Sequence, residues 1–319
     1  MIRFLAGRLA LALPTLLLVS AMVFGLQKLL PGDPAVALAG EDRNPEVIAY
    51  LRHKYQFDRP VPVQYAAWLG AFLRGDFGVS VRTRLPIRDM VKESLPITLE
   101  LASLSMLVAL GLGIPAGVLA ALRRGTAGDH AIGMLGLAGL SIPSFWLGIM
   151  LIILFAVKLG WLPVGGMHTA GAPSGLFNDV MDIARHLVLP AFSLGLFYAA
   201  VYARLMRSSM LEVALLDFVR AARAKGLGRM RVILMHIARN ALLPVVTLLG
   251  LQLGTVLGGS VVVESVFSWP GIGTLLFDSV SSRNYPVVLG ILVFSAGVVI
   301  VVNMLVDLAY LRLDPRTRR

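Results

Sequence analysis

With 319 residues, 57% of them hydrophobic and only 15% charged, and a mean hydropathy of +0.80, the chain is too apolar for an ordinary soluble domain and far too apolar for a disordered one. It has no cysteine, which excludes disulfide frameworks, thiolate metal sites and a cysteine nucleophile. In so apolar a chain the net charge of +11 asks which side of a membrane the basic residues face, and a nucleic-acid partner is not expected.

About 20 apolar residues are needed to cross a bilayer as a helix. Six stretches qualify: residues 9–30, 97–122, 131–159, 187–205, 242–263 and 286–311, the fourth being short and ending in Arg204. Arg3 and Arg8 before the first stretch, with Ala37-Leu38-Ala39 after it, imitate a secretory leader. The run is too long for a leader and five more spans follow, so it reads as a retained first span.

Residues 31–96 carry nine basic and eight acidic residues together with turn-forming Pro and Gly, in lengths that suit a small folded cap. Within this cap Tyr65, Trp68, Leu69 and Phe72 recur at helical spacing, which predicts a short amphipathic helix on the membrane or packed over the span ends. The spacing is equally consistent with a docking surface. Spans two and three follow, and in span three Ser141, Pro143 and Ser144 offer polar groups and a break in helix hydrogen bonding to any cavity there. Residues 160–185, rich in Gly and Pro, are expected to be irregular.

The connection at 205–240 has a different character. Counted from Arg204 it holds Arg207, Arg220, Arg223, Lys225, Arg229, Arg231 and Arg239 against only Glu212 and Asp217. Residues 218–225 are good helix sequence, Gly226 stops them, and a second basic amphipathic helix is predicted from Arg229 to about Leu243. Two helices bent at a glycine make a compact knob, able to bind anionic membrane lipid or to enter a partner protein. The basic short loops (Arg3 and Arg8, Arg123 and Arg124, this connection, and Arg312 to Arg319) fall on one side, which predicts both termini in the cytoplasm.

In span five Gly250, Gly254 and Gly258 form a ladder at four-residue steps, which predicts close helix packing. Gln252, Thr255 and Gly259 fall on roughly the opposite side, where they can face a translocation cavity or bond a neighbouring helix. Asn303 in span six is a similar pathway residue. Ionisable residues in the spans are confined to the ends: Glu100 and Glu264 at the outer ends, Asp307 at the inner. A proton-coupled carrier would place a carboxylate deeper, so the energy source is expected outside the membrane domain. No glycine is followed by lysine, so the chain has no P-loop, and its five histidines form no metal-ligand spacing. The rival of another class, a self-sufficient channel or secondary carrier, rests only on the multi-span pattern.

The knob is where the sequence resembles a known family. Ala221-Ala222-Arg223-Ala224-Lys225-Gly226-Leu227-Gly228, then His236, Arg239-Asn240-Ala241 and Leu243-Pro244, resembles the EAA loop of ABC-importer permeases in its dipeptide and oligopeptide variant. Leu30-Pro31-Gly32-Asp33-Pro34, Gly75-Asp76-Phe77-Gly78, residues 95–101 (Leu-Pro-Ile-Thr-Leu-Glu-Leu) and the run from Gly258 through Glu264 to Trp269-Pro270-Gly271-Ile272-Gly273 extend the resemblance over the whole chain. Arg220 stands where the general motif has its glutamate, so that glutamate's role is not carried over.

The resemblance implies an all-α, six-helix permease of the type I ABC-importer fold, the subunit with the long first external loop. Its parts would be a tail and first helix (1–30), a periplasmic cap (31–96), a permease core (97–311) holding the coupling loop, and a tail (312–319). It implies a bacterial inner-membrane protein without catalysis of its own, importing short peptides. The implied partners are a second related permease, two ATPase subunits that bind the ATP and Mg, and a periplasmic binding protein. Relatives that import glutathione, nickel or opines share the pattern.

Overall fold

The computed structural model describes residues 2–29, 34–39, 44–54, 56–171 and 175–313. Among them every regular element is helical, apart from one isolated antiparallel bridge between Val79 and Pro86. Five helices are long and apolar enough to cross a membrane, six if one sharply bent pair counts as a single span. The chain divides into two compact units, Met1–Pro96 with Leu275–Met304, and Ile97–Thr274 with Leu305–Arg319.

In the first unit, α1 (Ile2–Leu29) is followed by the short helices α2 (Pro34–Ala39) and α3 (Pro45–Lys54), then α4 (Val61–Leu73). The aromatic stripe of α4 is spent on α1. The Tyr65 hydroxyl lies 2.7 Å from Ser20 Oγ, and Phe24 meets Tyr65 edge-on at 5.5 Å and Trp68 at 5.7 Å. The ladder continues from Trp68 to Phe72, which stacks on Phe77 at 4.3 Å, and from there to Phe294. Gln64, buried at the start of α4, donates to the carbonyls of Phe57 and Arg59 and accepts from Lys28. Offset and edge-on ring pairs with satisfied buried polar groups make a packed unit of the cap. Leu11, Leu18 and Met22, on the rest of α1, stay exposed, as a helix side facing lipid does.

The second unit is built around α8 (Leu176–Val213), a 38-residue helix that buries Tyr202, Met206 and Met210 in the main hydrophobic cluster. The sequence suggests a short fourth span at 187–205 with irregular chain before it. The observed helix instead starts at Leu176, because its early polar residues have partners: Asp182 accepts from the backbone and hydroxyl of Thr169 at 2.7 and 2.6 Å. Arg185 likewise donates to the Trp161 carbonyl. Against α8 runs α5 (Ile87–Leu122), which begins ten residues before the apolar stretch that announces it. Their backbones approach at Gly113 and Gly117, where an added Cβ would lie 2.6 Å from the Ala199 carbonyl and 2.5 Å from that of Ala203. This is small-residue packing of the membrane kind, on a helix whose glycines form no four-residue ladder with a third member.

Span three, expected as one helix over 131–159, is two. After α6 (Ala127–Ser141) the chain bends by 102° into α7 (Ser144–Leu151), which continues as π-helical turns over Ile152–Lys158. Pro143 has no N–H to donate and forces the preceding residue out of the helical region, and Ile142 duly has ψ 123°. The remaining elements are α9 (Asp217–Ala224), α10 (Arg229–Arg231), π-helical turns over Val232–Ala238 running directly into α11 (Arg239–Val266), α12 (Ile272–Ser281) and α13 (Tyr285–Leu313).

Candidate functional site

The knob forms as the glycine predicts. Helix α9 turns Val219 and Ala222 into the core, where they are 0% and 6% exposed, and leaves Arg220, Ala221, Arg223, Ala224 and Lys225 outward. It ends in a complete Schellman cap: Leu227 N–H donates to the Ala222 carbonyl at 3.4 Å and Gly226 N–H to that of Arg223 at 3.0 Å. Gly226 sits at φ 75° with nothing within 4 Å of where a Cβ would be, so the requirement for glycine there is torsional and not spatial. Gly228 precedes α10, and the continuous helix beyond it seats Val232, Ile233 and Ile237 in the same core as α8.

Between the knob and the ends of α5 and α8 lies a cavity of about 470 Å³, walled by Leu122, Met210, Ala214, Leu227 and Ile233, with Arg223 and Arg229 on its lining. The start of α6 is tied to α8 nearby in the fold: Arg207 donates from Nε and Nη2 to the two carboxylate oxygens of Asp129 at 2.7 and 2.8 Å. That bidentate pair holds the carboxylate while Gly125 N–H also donates to it. Arg220, at the position of the family's glutamate, makes only a 3.4 Å exposed pair with Asp217.

Of the residues read as a translocation pathway, Ser141 and Ser144 line a cavity of about 300 Å³ at the span-three break, together with Leu140, Ile142, Pro143, Leu194, Phe197 and Tyr198. Gln252 is half-buried in α11 and is not part of that lining. The surroundings of Thr255 and Gly259 lie outside what the structure describes, and Asn303 is exposed in the first unit. Of the glycine ladder, Gly250 meets the Val306 side chain, Gly254 is buried, and Gly258 faces open space within the chain.

One constellation was missed. Glu264, 0% exposed at the end of α11, accepts from Gly273 N–H at 2.8 Å and Thr274 N–H at 3.2 Å through Oε2, and from the Thr98 hydroxyl at 2.8 Å through Oε1. Thr98 Oγ1 in turn accepts from Ile272 N–H at 2.8 Å, and Trp269 Nε1 donates to the Ile97 carbonyl at 3.1 Å. The carboxylate thus caps the first turn of α12, where the helix dipole and the Gly273 and Thr274 N–H groups, which have no partner within the helix, favour an anion. Two of the motifs that carry the family resemblance, around Thr98 and from Gly258 to Gly273, meet here across 166 residues of sequence. Of the other motifs, Asp76 closes a turn by accepting from Gly78 N–H at 2.9 Å, and residues 30–33 lie outside the described residues. Among the described residues no group of three or more His, Asp or Glu side chains could hold a metal ion.

Comparison with known proteins gives a consistent assignment. The family described as binding-protein-dependent transport system inner membrane component matches residues 113–319, and its N-terminal companion for the same transport systems matches residues 1–102. The chain is 44% identical over 333 residues to the di/tripeptide transport system permease protein DppB of Pseudomonas aeruginosa, covering 100% of this chain and 99% of that one. It is 40% identical over 317 residues to the oligopeptide transport system permease protein AppB of Bacillus subtilis, covering 99% of each. Among solved structures, an inward-facing MetNI methionine ABC transporter matches in fold with a TM-score of 0.58 at 20% identity, over 70% of this chain and 96% of that one.

Proposed function

The chain belongs to the binding-protein-dependent transport system inner membrane component family, the membrane permeases of ABC importers, and within that family we propose that it is one permease subunit of an importer of short peptides. The full-length likeness to di/tripeptide and oligopeptide permeases is the observation that carries the cargo. The subunit does no covalent chemistry. It works beside a second, related permease, two ATPase subunits that bind ATP and Mg, and a periplasmic binding protein that brings peptide to the outer face.

Coupling runs through segment 221–228. A helix with an apolar inner face, an exposed basic outer face and a rigid backbone cap is suited to transmit a push. Val219 and Ala222 join it to the core that α8 and α11 share, so displacement of α9 displaces the spans. The exposed row Arg220, Arg223 and Lys225 suits an acidic, apolar groove on the ATPases. Ser141 and Ser144 at the span-three break, with Gln252, Thr255, Gly259 and Asn303, are the residues proposed for the peptide route.

Reconstitution tests this reading. Proteoliposomes with the complete complex should take up a labelled dipeptide only with ATP and binding protein, and the purified chain alone should pass none. Peptide flux through the chain alone overturns it in favour of a channel or carrier. The proposed orientation, both termini and the coupling loop cytoplasmic, is tested in the naturally cysteine-free chain with Arg223→Cys. An impermeant thiol reagent should label it only after the cells are opened, and labelling of intact cells refutes the orientation.

A further inference from the structure

The break in span three leaves backbone groups with nothing in the helix to bond them. Ile142 N–H still donates to the Ala138 carbonyl at 3.0 Å, but the donor for Gly139 would be residue 143, a proline, and Leu140 and Ser141 lose theirs because the chain turns away. Among the described hydrogen bonds none ends on these three carbonyls, whereas beyond the break Ser144's carbonyl accepts from Ser193 Oγ at 2.6 Å. The Ser141 hydroxyl is turned back to the Leu137 carbonyl at 2.9 Å. The free carbonyls sit at the C-terminal, negative end of α6.

Two of these residues, Leu140 and Ser141, wall the cavity of about 300 Å³ at the break, with Ile142, Pro143 and Ser144 beside them. Its other wall is aromatic and apolar: Leu194, with Phe197 and Tyr198 packed edge-on at 5.3 Å and 81°. No charged side chain lines it. A carbonyl-rich helix end opposite π-faces attracts a cation and offers an anion little. A bare metal ion would need a tighter oxygen cage, and the volume is at the lower end for a small-molecule pocket, enough for one end of a peptide and not its whole length.

We infer that this cavity receives the amino-terminal end of the transported peptide, its primary ammonium against the freed carbonyls at the end of α6 and its first side chain against Leu194, Phe197 and Tyr198. The inference rests on the peptide-import reading. The lack of a carboxylate makes the hold weak, as a site on a route requires if cargo is to leave it again.

The test uses the assembled transporter in nanodiscs without its binding protein, and dialanine in equilibrium dialysis. Dialanine should bind saturably, N-acetyl-dialanine at least about tenfold more weakly, and methylammonium but not sodium should compete. Ser144→Lys, which supplies an internal ammonium at the cavity wall, should lower dialanine binding by at least about tenfold, whereas Ser144→Met should stay within about threefold of wild type. Co-purification of the partner subunits reports whether each variant assembles; if Ser144→Lys does not, the N-acetyl comparison decides. Equal binding of the two peptides, competition by sodium, or an assembled Ser144→Lys complex that binds normally overturns the site. So does the absence of saturable binding in a wild-type complex that still transports dialanine. A complete wild-type complex that transports no peptide overturns the import reading instead.

Discussion

At the end of α9 the chain stops a helix with backbone alone: Gly226 takes φ 75°, two N–H groups turn back to Ala222 and Arg223, and the basic residues around them stay exposed. At the start of α12 it begins a helix with a buried carboxylate, Glu264, whose partners come from α5 and from the first turn of α12 itself. The first terminus is local, open and able to meet another protein. The second is assembled from distant segments, closed, and has both carboxylate oxygens bonded from within the chain. On the proposed reading the first is gripped by a partner, while the second holds its own unit together, and substitutions should separate the two.

The largest effect belongs to the closed terminus. Glu264→Ala strands the Gly273 and Thr274 N–H groups and the Thr98 hydroxyl in a buried site, with an expected loss on the order of 3 kcal/mol. Thermal unfolding of the purified complex should show a clear drop, with less protein in the membrane, and Glu264→Gln should recover part of it. An unfolding midpoint equal to wild type for Glu264→Ala would mean that the cap is not structural.

A smaller and different effect belongs to the open terminus. Gly226→Val meets no neighbour but must adopt a left-handed backbone, at about 1–2 kcal/mol or somewhat more for a branched side chain. The subunit should still insert, while ATPase association or ATP-driven transport falls. Gly226→Asn, which tolerates that backbone, should keep most of the transport. If Val and Asn behave alike, the cap geometry is irrelevant to coupling.

The smallest effect is expected at Arg220→Ala. Its pair with Asp217 is long and exposed on both sides, so the unfolding midpoint should not move. A marked loss of ATPase association without loss of stability would add Arg220 to the docking face, and a marked loss of stability would contradict the open character of this terminus.

The knob was legible in the sequence because everything that shapes it is local: helix-forming residues 218–225, a glycine after them, and a basic amphipathic helix beyond. The existence of the spans was legible for the same reason, since apolar length alone satisfies the bilayer. Their extents were not. The polar start of α8 reads as loop until Thr169 is seen bonding Asp182, and Pro143 announces a weak point in span three without stating that the bend reaches 102°. Pro190 lies inside continuous α8 with no such break, so proline alone does not set the outcome.

Nearest neighbours along the chain therefore decide helix periodicity, apolar length, the stop at Gly226 and the loss of a donor at Pro143. Tertiary structure decided which small residues let helices touch. Of the conspicuous ladder at 250, 254 and 258, Gly250 packs against Val306, while backbone meets backbone between α5 and α8 at Gly113 and Gly117, because close approach depends on what stands opposite, here the carbonyls of Ala199 and Ala203. It also decided that Glu264 is a cap. A carboxylate's role is set by the donors that surround it, and those donors lie in Thr98, far away in sequence, and in two backbone N–H groups whose orientation exists only once α12 has formed.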